Sequence, residues 1–116
     1  MKIKVCGIVD VEQILALDEL AIDYIGINFY PQSKRYFHGA KNLSNLCLKY
    51  AKLTGVFVDP ALDTVFKAVD NHQLTYIQLH GNETPEFCNA LVARGLKVVK
   101  VFDGNHIPEY KTMLLY

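Results

Sequence analysis

The chain has 116 residues and a mass of 13.1 kDa, a length typical of one domain or part of one. Hydrophobic residues make up 51% of it and charged residues 21%, with 12 basic and 12 acidic side chains, so the composition is globular and electrically balanced. This excludes intrinsic disorder and a general binder of nucleic acid or acidic membranes, and no apolar run approaches the roughly 18 residues of a membrane span.

Short β-rich runs alternate with helix-like segments along the chain. The strands are predicted at residues 3–6, 24–29, 53–58, 75–80 and 97–102. The first helix is predicted after Asp10, an N-cap candidate with Gln13 three residues on, as in a capping box. The second is predicted around residues 42–51 and the third after Pro60.

The fourth helix has the clearest boundaries. Thr84 is placed as its N-cap, Pro85 at the first helical position and Gly95 just past the end. Strands joined by helical crossovers must run parallel, so the chain is predicted to be α/β. We expect residues 1–116 to form a single domain.

Side chains alternate between the two faces of a strand, and the sequence predicts two unlike faces. The aliphatic face is predicted to hold Ile3, Val5, Ile25, Ile27, Phe29, Val56, Val58, Ile77, Leu79, Val99 and Val101. The opposite face is predicted to hold Lys4, Cys6, Gly26, Asn28, Gly55, Phe57, Tyr76, Gln78, His80, Lys100 and Phe102.

A doubly wound sheet needs aliphatic side chains on both faces, whereas a closed barrel turns one face towards an interior that can line a site. The first strand-to-helix turn also has a single glycine, not the three of a dinucleotide fingerprint. The sequence therefore predicts a (β/α)8 TIM barrel. A complete barrel takes about 250 residues, so this chain is expected to cover the first five βα units.

Active sites of such barrels lie at the C-terminal ends of the strands. Cys6 ends the first strand on the inward face, where a nearby cation such as Lys4 could favour a thiolate able to act as base or nucleophile. The alternative is a small, inert, buried side chain. Cys47 and Cys88 are predicted to lie within helices, in the core.

The three cysteines are odd in number and widely spaced, which argues against a disulfide framework or a zinc site and predicts free thiols. The N-terminal residues lack the long apolar core of a signal peptide. We therefore expect a cytoplasmic protein.

Charged and polar side chains follow the other strands. Arg35, in the turn after the second strand, has a fork of donors suited to a carboxylate or phosphate, and we favour it over Lys34 as an anion ligand. The alternative for both is a solvated loop. His80, directly before Gly81, is a candidate ligand contact or a structural histidine.

Four further polar residues have mainly structural interpretations. Gln78 and Lys100 are expected to be polar residues of the barrel interior. Asp59 and Asp103 each follow a strand and could be an acid or a helix N-cap, and the N-cap is favoured for Asp59.

Four motifs follow one another between residues 4 and 83: "KVCGI" at residues 4–8, "GINFYPQSKRY" at 26–36, "GVFVD" at 55–59 and "IQLHGNE" at 77–83. In order and spacing they resemble phosphoribosylanthranilate isomerase. The resemblance implies a (β/α)8 barrel enzyme of tryptophan biosynthesis. Such an enzyme converts N-(5-phosphoribosyl)anthranilate to 1-(2-carboxyphenylamino)-1-deoxyribulose 5-phosphate by an Amadori rearrangement, without metal or cofactor.

The same resemblance implies roles for individual residues. It makes Cys6 the general base that takes the sugar C2 proton, and Arg35 the ligand of the anthranilate carboxylate. It places His80 near the substrate. The family's general acid, an aspartate at the end of the sixth strand, and its phosphate-binding loops after strands seven and eight lie outside residues 1–116. We therefore expect a fragment that binds a small phosphorylated molecule and is inactive alone.

Two other functions remain open. A non-catalytic half-barrel could self-associate, or complement a separate C-terminal part, through its open sheet edges. Another barrel enzyme of phosphorylated sugars, such as indole-glycerol-phosphate synthase, is less well suited to the motifs that contain Cys6 and Arg35.

Overall fold

The computed structural model describes residues 1–38 and 42–116, which contain one parallel sheet of five strands. The strands are β1 (Lys4–Cys6), β2 (Tyr24–Asn28), β3 (Lys52–Phe57), β4 (Tyr76–Leu79) and β5 (Lys97–Lys100). They lie side by side in chain order, and all four pairings are parallel. All five predicted strands are confirmed. This order is the one expected for consecutive βα units of a barrel.

Helices connect most of these strands. They are α1 (Val11–Glu19), α2 (Leu62–His72), α3 (Pro85–Ala93) and the short α4 (Tyr110–Met113). The first, third and fourth predicted helices are thus confirmed, and α4 was not predicted. None of the helices in the described part of the chain is both long and apolar enough to cross a membrane.

The helix ends follow the local sequence signals. The Asp10 side chain accepts a hydrogen bond from the backbone N–H of Glu12 at 2.8 Å and caps α1. The Thr84 hydroxyl accepts one from the N–H of Phe87 at 3.1 Å and caps α3. Gly95, just past α3, has a φ of +85°, which glycine adopts without steric cost.

The prediction of a helix around residues 42–51 is wrong. This segment contains only a 3₁₀ turn, Leu43–Asn45, and is otherwise irregular up to β3. Three consecutive backbone N–H groups, those of residues 49–51, donate hydrogen bonds of 2.8 Å to the Asp18 carboxylate. Because these groups point at one side chain, they cannot also donate to carbonyls four residues back, as a helix requires.

Asp18 therefore anchors the entry of β3 to α1. Its side chain is buried, with 3% of the residue exposed. Burial by itself would raise the pKa of this carboxyl, but the backbone donors of Ala51, Lys49 and Tyr50 outweigh it and the pKa is lowered.

The strand register separates two faces of the sheet. The face that packs against helices includes Ile25, Ile27, Phe57, Ile77 and Leu79, all buried. The interior face carries the paired residues Cys6, Gly26, Thr54 and Tyr76 in one row and Asn28, Val56, Gln78 and Val99 in the next. His80 follows Gln78 at an alternating position, so Cys6, Asn28 and His80 share the interior face, as predicted.

The face assignment is wrong for β3 and β5. Gly55, Phe57 and Lys100 lie on the helix-facing side, whereas Val56 and Val99 lie on the interior side. Phe57 is 1% exposed and stacks on Phe29, with 5.2 Å between ring centroids. Aliphatic side chains fill barrel interiors as well as helix interfaces, so an aliphatic pattern alone does not fix the phase of a strand.

Two groups of buried residues form the core. The α1 cluster contains Ile14, Ile25, Ile27, Phe37, Leu43 and Ala51. The α2–α3 cluster contains Phe57, Val65, Ala68, Leu74, Ile77, Leu79, Cys88, Leu91 and Leu96. Phe29 and Leu53 pack against both clusters. Both clusters therefore lie on the helix side of the sheet.

Candidate active site

Cys6 lies at the C-terminal end of β1, and its side chain is exposed on the interior face. Its partner in the adjacent strand is Gly26. A Cβ atom built on Gly26 would lie 2.7 Å from Cys6 Sγ, so the sulfur occupies the space that the missing side chain leaves. A larger residue at position 26 would displace the thiol.

Arg35 lies against the peptide that follows Cys6. Gly7 has a φ of +77°, and a Cβ atom built on it would collide with Arg35 Cδ and lie 3.1 Å from Nη1 and 3.3 Å from Nε. The absence of a side chain at Gly7 is what allows the guanidinium to approach. The structure thus places Arg35 beside the residue that follows Cys6.

The turn that carries Arg35 is shaped by two polar side chains. Asn28 Oδ1 accepts a hydrogen bond from the N–H of Tyr30 at 2.8 Å, and its amide donates to Ser33 Oγ at 3.3 Å. Ser33 Oγ in turn accepts from the N–H of Arg35 at 3.1 Å. These bonds fold the chain back towards β1. Lys34 and Arg35 are both exposed, and Arg35 differs in its contact with Gly7.

We expect alanine at Gly7 and at Gly95 to lower stability similarly, because both positions have positive φ and alanine there costs about 1 to 2 kcal/mol. A Cβ atom at Gly95 would meet nothing within 4 Å, so only Gly7→Ala should also displace Arg35. Urea unfolding would measure the first effect, and the ¹⁵N resonance of Arg35 Nε the second. An Arg35 signal unmoved in Gly7→Ala, or moved equally by Gly95→Ala, would contradict the packing of Arg35 on Gly7.

His80 follows β4 on the interior face, and its Nε2 atom is hydrogen-bonded to the side-chain amide of Gln78. Gln78 thus has the bonded interior position expected for it. Partial burial lowers the pKa of His80, the positive charge of Lys4 lowers it further, and the negative charge of Glu83 opposes the shift. The neutral imidazole is therefore favoured near pH 7, and it can donate or accept one hydrogen bond.

A cavity of about 510 Å³ opens beside His80, at the C-terminal ends of β3, β4 and β5. Its wall includes Asn82, Asp103, His106, Thr112 and Tyr116. Neither Cys6 nor Arg35 lines it. His80 therefore shares a sheet face with Cys6 but borders a separate depression.

The N-cap prediction for Asp59 is wrong. Ala61 occupies the N-cap of α2, without a side-chain hydrogen bond. The Asp59 carboxylate instead accepts from the N–H of Asn82 at 2.6 Å and joins the loops after β3 and β4. Asp103, for which both roles were open, accepts from the N–H of Asn105 at 2.9 Å within its own turn.

Three other expectations have mixed outcomes. Cys88 is buried in α3 as predicted, but Cys47 is exposed and outside any helix, so its assignment to the core is wrong. Lys100 is not an interior polar residue, because it pairs in register with the helix-facing Leu79 and contacts buried Glu83.

Within residues 1–38 and 42–116, no three His, Cys, Asp or Glu side chains could together hold a metal ion.

The chain as a whole was compared with known proteins. A family model described as N-(5'phosphoribosyl)anthranilate (PRA) isomerase matches residues 3–112. The chain belongs to this isomerase family. The N-(5'-phosphoribosyl)anthranilate isomerase of Phocaeicola vulgatus is 42% identical over 103 residues, which are 88% of this chain and 48% of the relative.

Solved isomerase structures share the fold. The phosphoribosyl anthranilate isomerase of Thermotoga maritima superposes with a TM-score of 0.76 at 30% identity, over 86% of this chain and 49% of that one. A second isomerase, in complex with reduced 1-(o-carboxyphenylamino)-1-deoxyribulose 5-phosphate, superposes with a TM-score of 0.77 at 28% identity, over 90% and 56%. The predicted TIM barrel class is confirmed. The chain spans about half the length of these isomerases.

Proposed function

We propose that this chain supplies the first five βα units, as one domain, of an N-(5'-phosphoribosyl)anthranilate isomerase of tryptophan biosynthesis. The observation that carries the proposal is the contact of Arg35 with Gly7, the residue directly after Cys6, whose side chain is exposed at the end of β1. Arg35, the proposed anion ligand, thus lies beside the residue that follows Cys6, the proposed base. The Amadori rearrangement needs a base for the C2 proton, and the aryl carboxylate of the substrate gives Arg35 an anion to bind.

In this proposal the Cys6 thiolate removes the proton from C2 of the sugar. The guanidinium of Arg35 binds the anthranilate carboxylate through two parallel hydrogen bonds and fixes the orientation of the aryl group. His80, neutral near pH 7, contacts the substrate from β4 across the same face. The proton for the ribose ring oxygen comes from an acid outside the five strands.

The substrate proposed here is a small phosphorylated molecule, supported by the ligand in the related complex. We further propose the cytoplasm as the compartment. All three cysteines are free thiols, a state that a reducing compartment maintains.

A second candidate is a non-catalytic half-barrel that self-associates or binds a separate C-terminal part. It is favoured by the open sheet: among residues 1–38 and 42–116, β1 and β5 each pair on one side only, and Val99 is 47% exposed on the interior face. Unpaired edges of parallel strands are potential pairing sites.

A hybrid enzyme tests the first proposal. Residues 1–100 would replace the matching strands of the Phocaeicola vulgatus isomerase, and conversion of N-(5-phosphoribosyl)anthranilate would be followed directly. We expect the hybrid to turn over substrate. In Cys6→Ser, kcat should fall about 10²-fold or more, because an alcohol is a much weaker base. In Arg35→Lys, kcat/KM should fall by an amount that corresponds to about 1 to 3 kcal/mol of lost transition-state stabilisation.

Lys34→Arg is the matched control for Arg35→Lys, because Lys34 is the exposed neighbour in the same turn. Its kinetics should equal those of the hybrid. Unchanged kcat in Cys6→Ser would remove the general-base role, and unchanged kcat/KM in Arg35→Lys would return Arg35 to a solvated loop.

A further inference from the structure

A buried ion pair lies beneath the loops that follow β3, β4 and β5. Glu83 Oε1 and Lys100 Nζ are 3.1 Å apart, and their side chains are only 2% and 7% exposed. Two charges removed from water in this way are costly unless the remaining donors and acceptors are also satisfied. The pair therefore has to be judged by its other contacts.

Those contacts converge on the peptide groups around Gly81. The Glu83 carboxylate accepts from the N–H of Gly81 at 3.0 and 3.2 Å, and from the N–H of Asp59 at 2.8 Å. Lys100 Nζ donates to the carbonyl of Gly81 at 2.6 Å and to that of Val101 at 3.0 Å. Both backbone polar groups of Gly81 are thus held by charged side chains.

The ammonium of Lys100 has three N–H donors, and its three acceptors are a carboxylate and two carbonyls. All three donors can therefore be satisfied. Each bond is charge-assisted and lies in a dry environment, so the geometry of the loop is tightly defined.

Gly81 is the residue directly after His80. The backbone of His80 is held on its other side as well, because its N–H donates to the carbonyl of Phe57 at 3.0 Å. The side chains of Glu83 and Lys100 lie on the helix side of the sheet, whereas the imidazole of His80 is on the interior side. The pair acts on His80 through the backbone of Gly81 and through its charges.

We propose that Glu83 and Lys100 are positioning residues, which hold the peptide after His80 so that the imidazole faces the barrel interior. The proposal rests on the proposed function only in taking His80 as a substrate contact. The Glu83 and Lys100 side chains contact each other and backbone groups, so neither is placed among the reacting groups.

The two charges also act on His80 in opposite directions. The negative charge of Glu83 raises the pKa of His80, and the positive charge of Lys100 lowers it, on top of the lowering by burial. A variant that removes one charge should therefore move the His80 titration one way, and a variant that removes the other should move it the opposite way.

The test uses NMR on the 116-residue chain with Glu83→Gln, Lys100→Met and the double variant. We expect the His80 pKa to fall in Glu83→Gln, rise in Lys100→Met and return near the parent value in the double variant. In Glu83→Gln and in the double variant, which remove the charged acceptor of the Gly81 N–H, exchange of that amide should accelerate by about 10-fold relative to the amide of buried Ile77, as expected for one weakened hydrogen bond.

Glu86→Gln and Lys97→Met are matched controls, since Glu86 and Lys97 are exposed residues of α3 and β5. Neither should change the His80 titration or Gly81 exchange. The double variant leaves no unpaired buried charge, so it keeps the test valid if a single variant fails to fold.

Equal acceleration of the Gly81 and Ile77 amides with an unchanged His80 titration would assign the pair to global stability and overturn the proposal. Parent-like protection of Gly81 in the double variant would overturn it as well. These measurements involve no substrate, so their outcome is independent of whether the hybrid enzyme is active.

Discussion

The isolated 116-residue chain is expected to show no measurable isomerisation, even with Cys6 and Arg35 correctly arranged. The rearrangement needs one proton delivered to the ring oxygen and another removed from C2, and general acid or base catalysis contributes about 10² to 10⁴ in rate for each group. The five strands supply the proposed base but not the acid. They also lack the loops expected to bind the phosphate, so the binding energy that would position the sugar over Cys6 is lost too.

Adding the C-terminal half of the Phocaeicola vulgatus isomerase in trans should restore activity. The same half added to the Cys6→Ser chain is the control, and it should restore far less. Turnover by the purified, monodisperse 116-residue chain at the rate of a whole isomerase would refute the expectation. Gel filtration of the same sample would separate a self-associating half-barrel from a monomer.

Asp18→Ala should lower the free energy of unfolding by about 3 kcal/mol. The substitution removes a charged acceptor from three backbone N–H groups, and hydrogen bonds to charged groups are worth roughly 1.5 to 3 kcal/mol each. The expected loss of stability is well below the sum of three such hydrogen bonds, because residues 49 and 50 are exposed and water can solvate their amides. Urea unfolding at pH 7 would measure it.

Glu19→Ala is the matched control for Asp18→Ala. Glu19 is the next residue of α1, and its side chain is 70% exposed and 3.6 Å from Lys49 Nζ. An exposed pair of this kind contributes little, so the control should change stability by less than about 0.5 kcal/mol. Equal losses in the two variants would show that the three hydrogen bonds of Asp18 do not anchor β3.

The effect of Asp18 should also depend on pH. Its pKa is lower in the folded chain than the value of about 3.9 expected for an unfolded aspartate. The unfolded state therefore binds the proton first, and the stabilisation by Asp18 is complete above the unfolded pKa and is lost as the pH falls through the folded one. The difference between the parent chain and Asp18→Ala should accordingly be constant near neutrality and shrink in acid.

The sequence predicted every strand because each is a short β-rich run between turn and cap signals. It could not predict the phase of β3 and β5, since valine suits both faces of a barrel strand and only packing distinguishes them. The helix prediction for residues 42–51 was wrong for a different reason. Its backbone conformation is set by Asp18, a residue far away in the sequence whose role has no local signal.

Some residues of the candidate site could likewise be predicted from the sequence, and others could not. Cys6, Arg35 and His80 stand in motifs with recognisable residues at fixed spacing, so they could be identified from the sequence. The pairing of Glu83 with Lys100 depends on the register of β4 and β5 and on the turn after His80. A carboxylate three residues after a histidine is no signal by itself, and Lys100 was assigned to the wrong face for the reason given for β5.

Because the core is divided into two clusters, local unfolding of either cluster would affect the candidate site. The α1 cluster includes β2, which pairs with the strand of Cys6, and Phe37, just after Arg35, whereas the α2–α3 cluster includes β4 residues just before His80. Phe29 and Leu53 are the side chains that pack against both. Units of this kind commonly open one at a time, below the free energy of global unfolding. The candidate site would then lose its geometry whenever either cluster unfolds locally, while the other cluster stays folded.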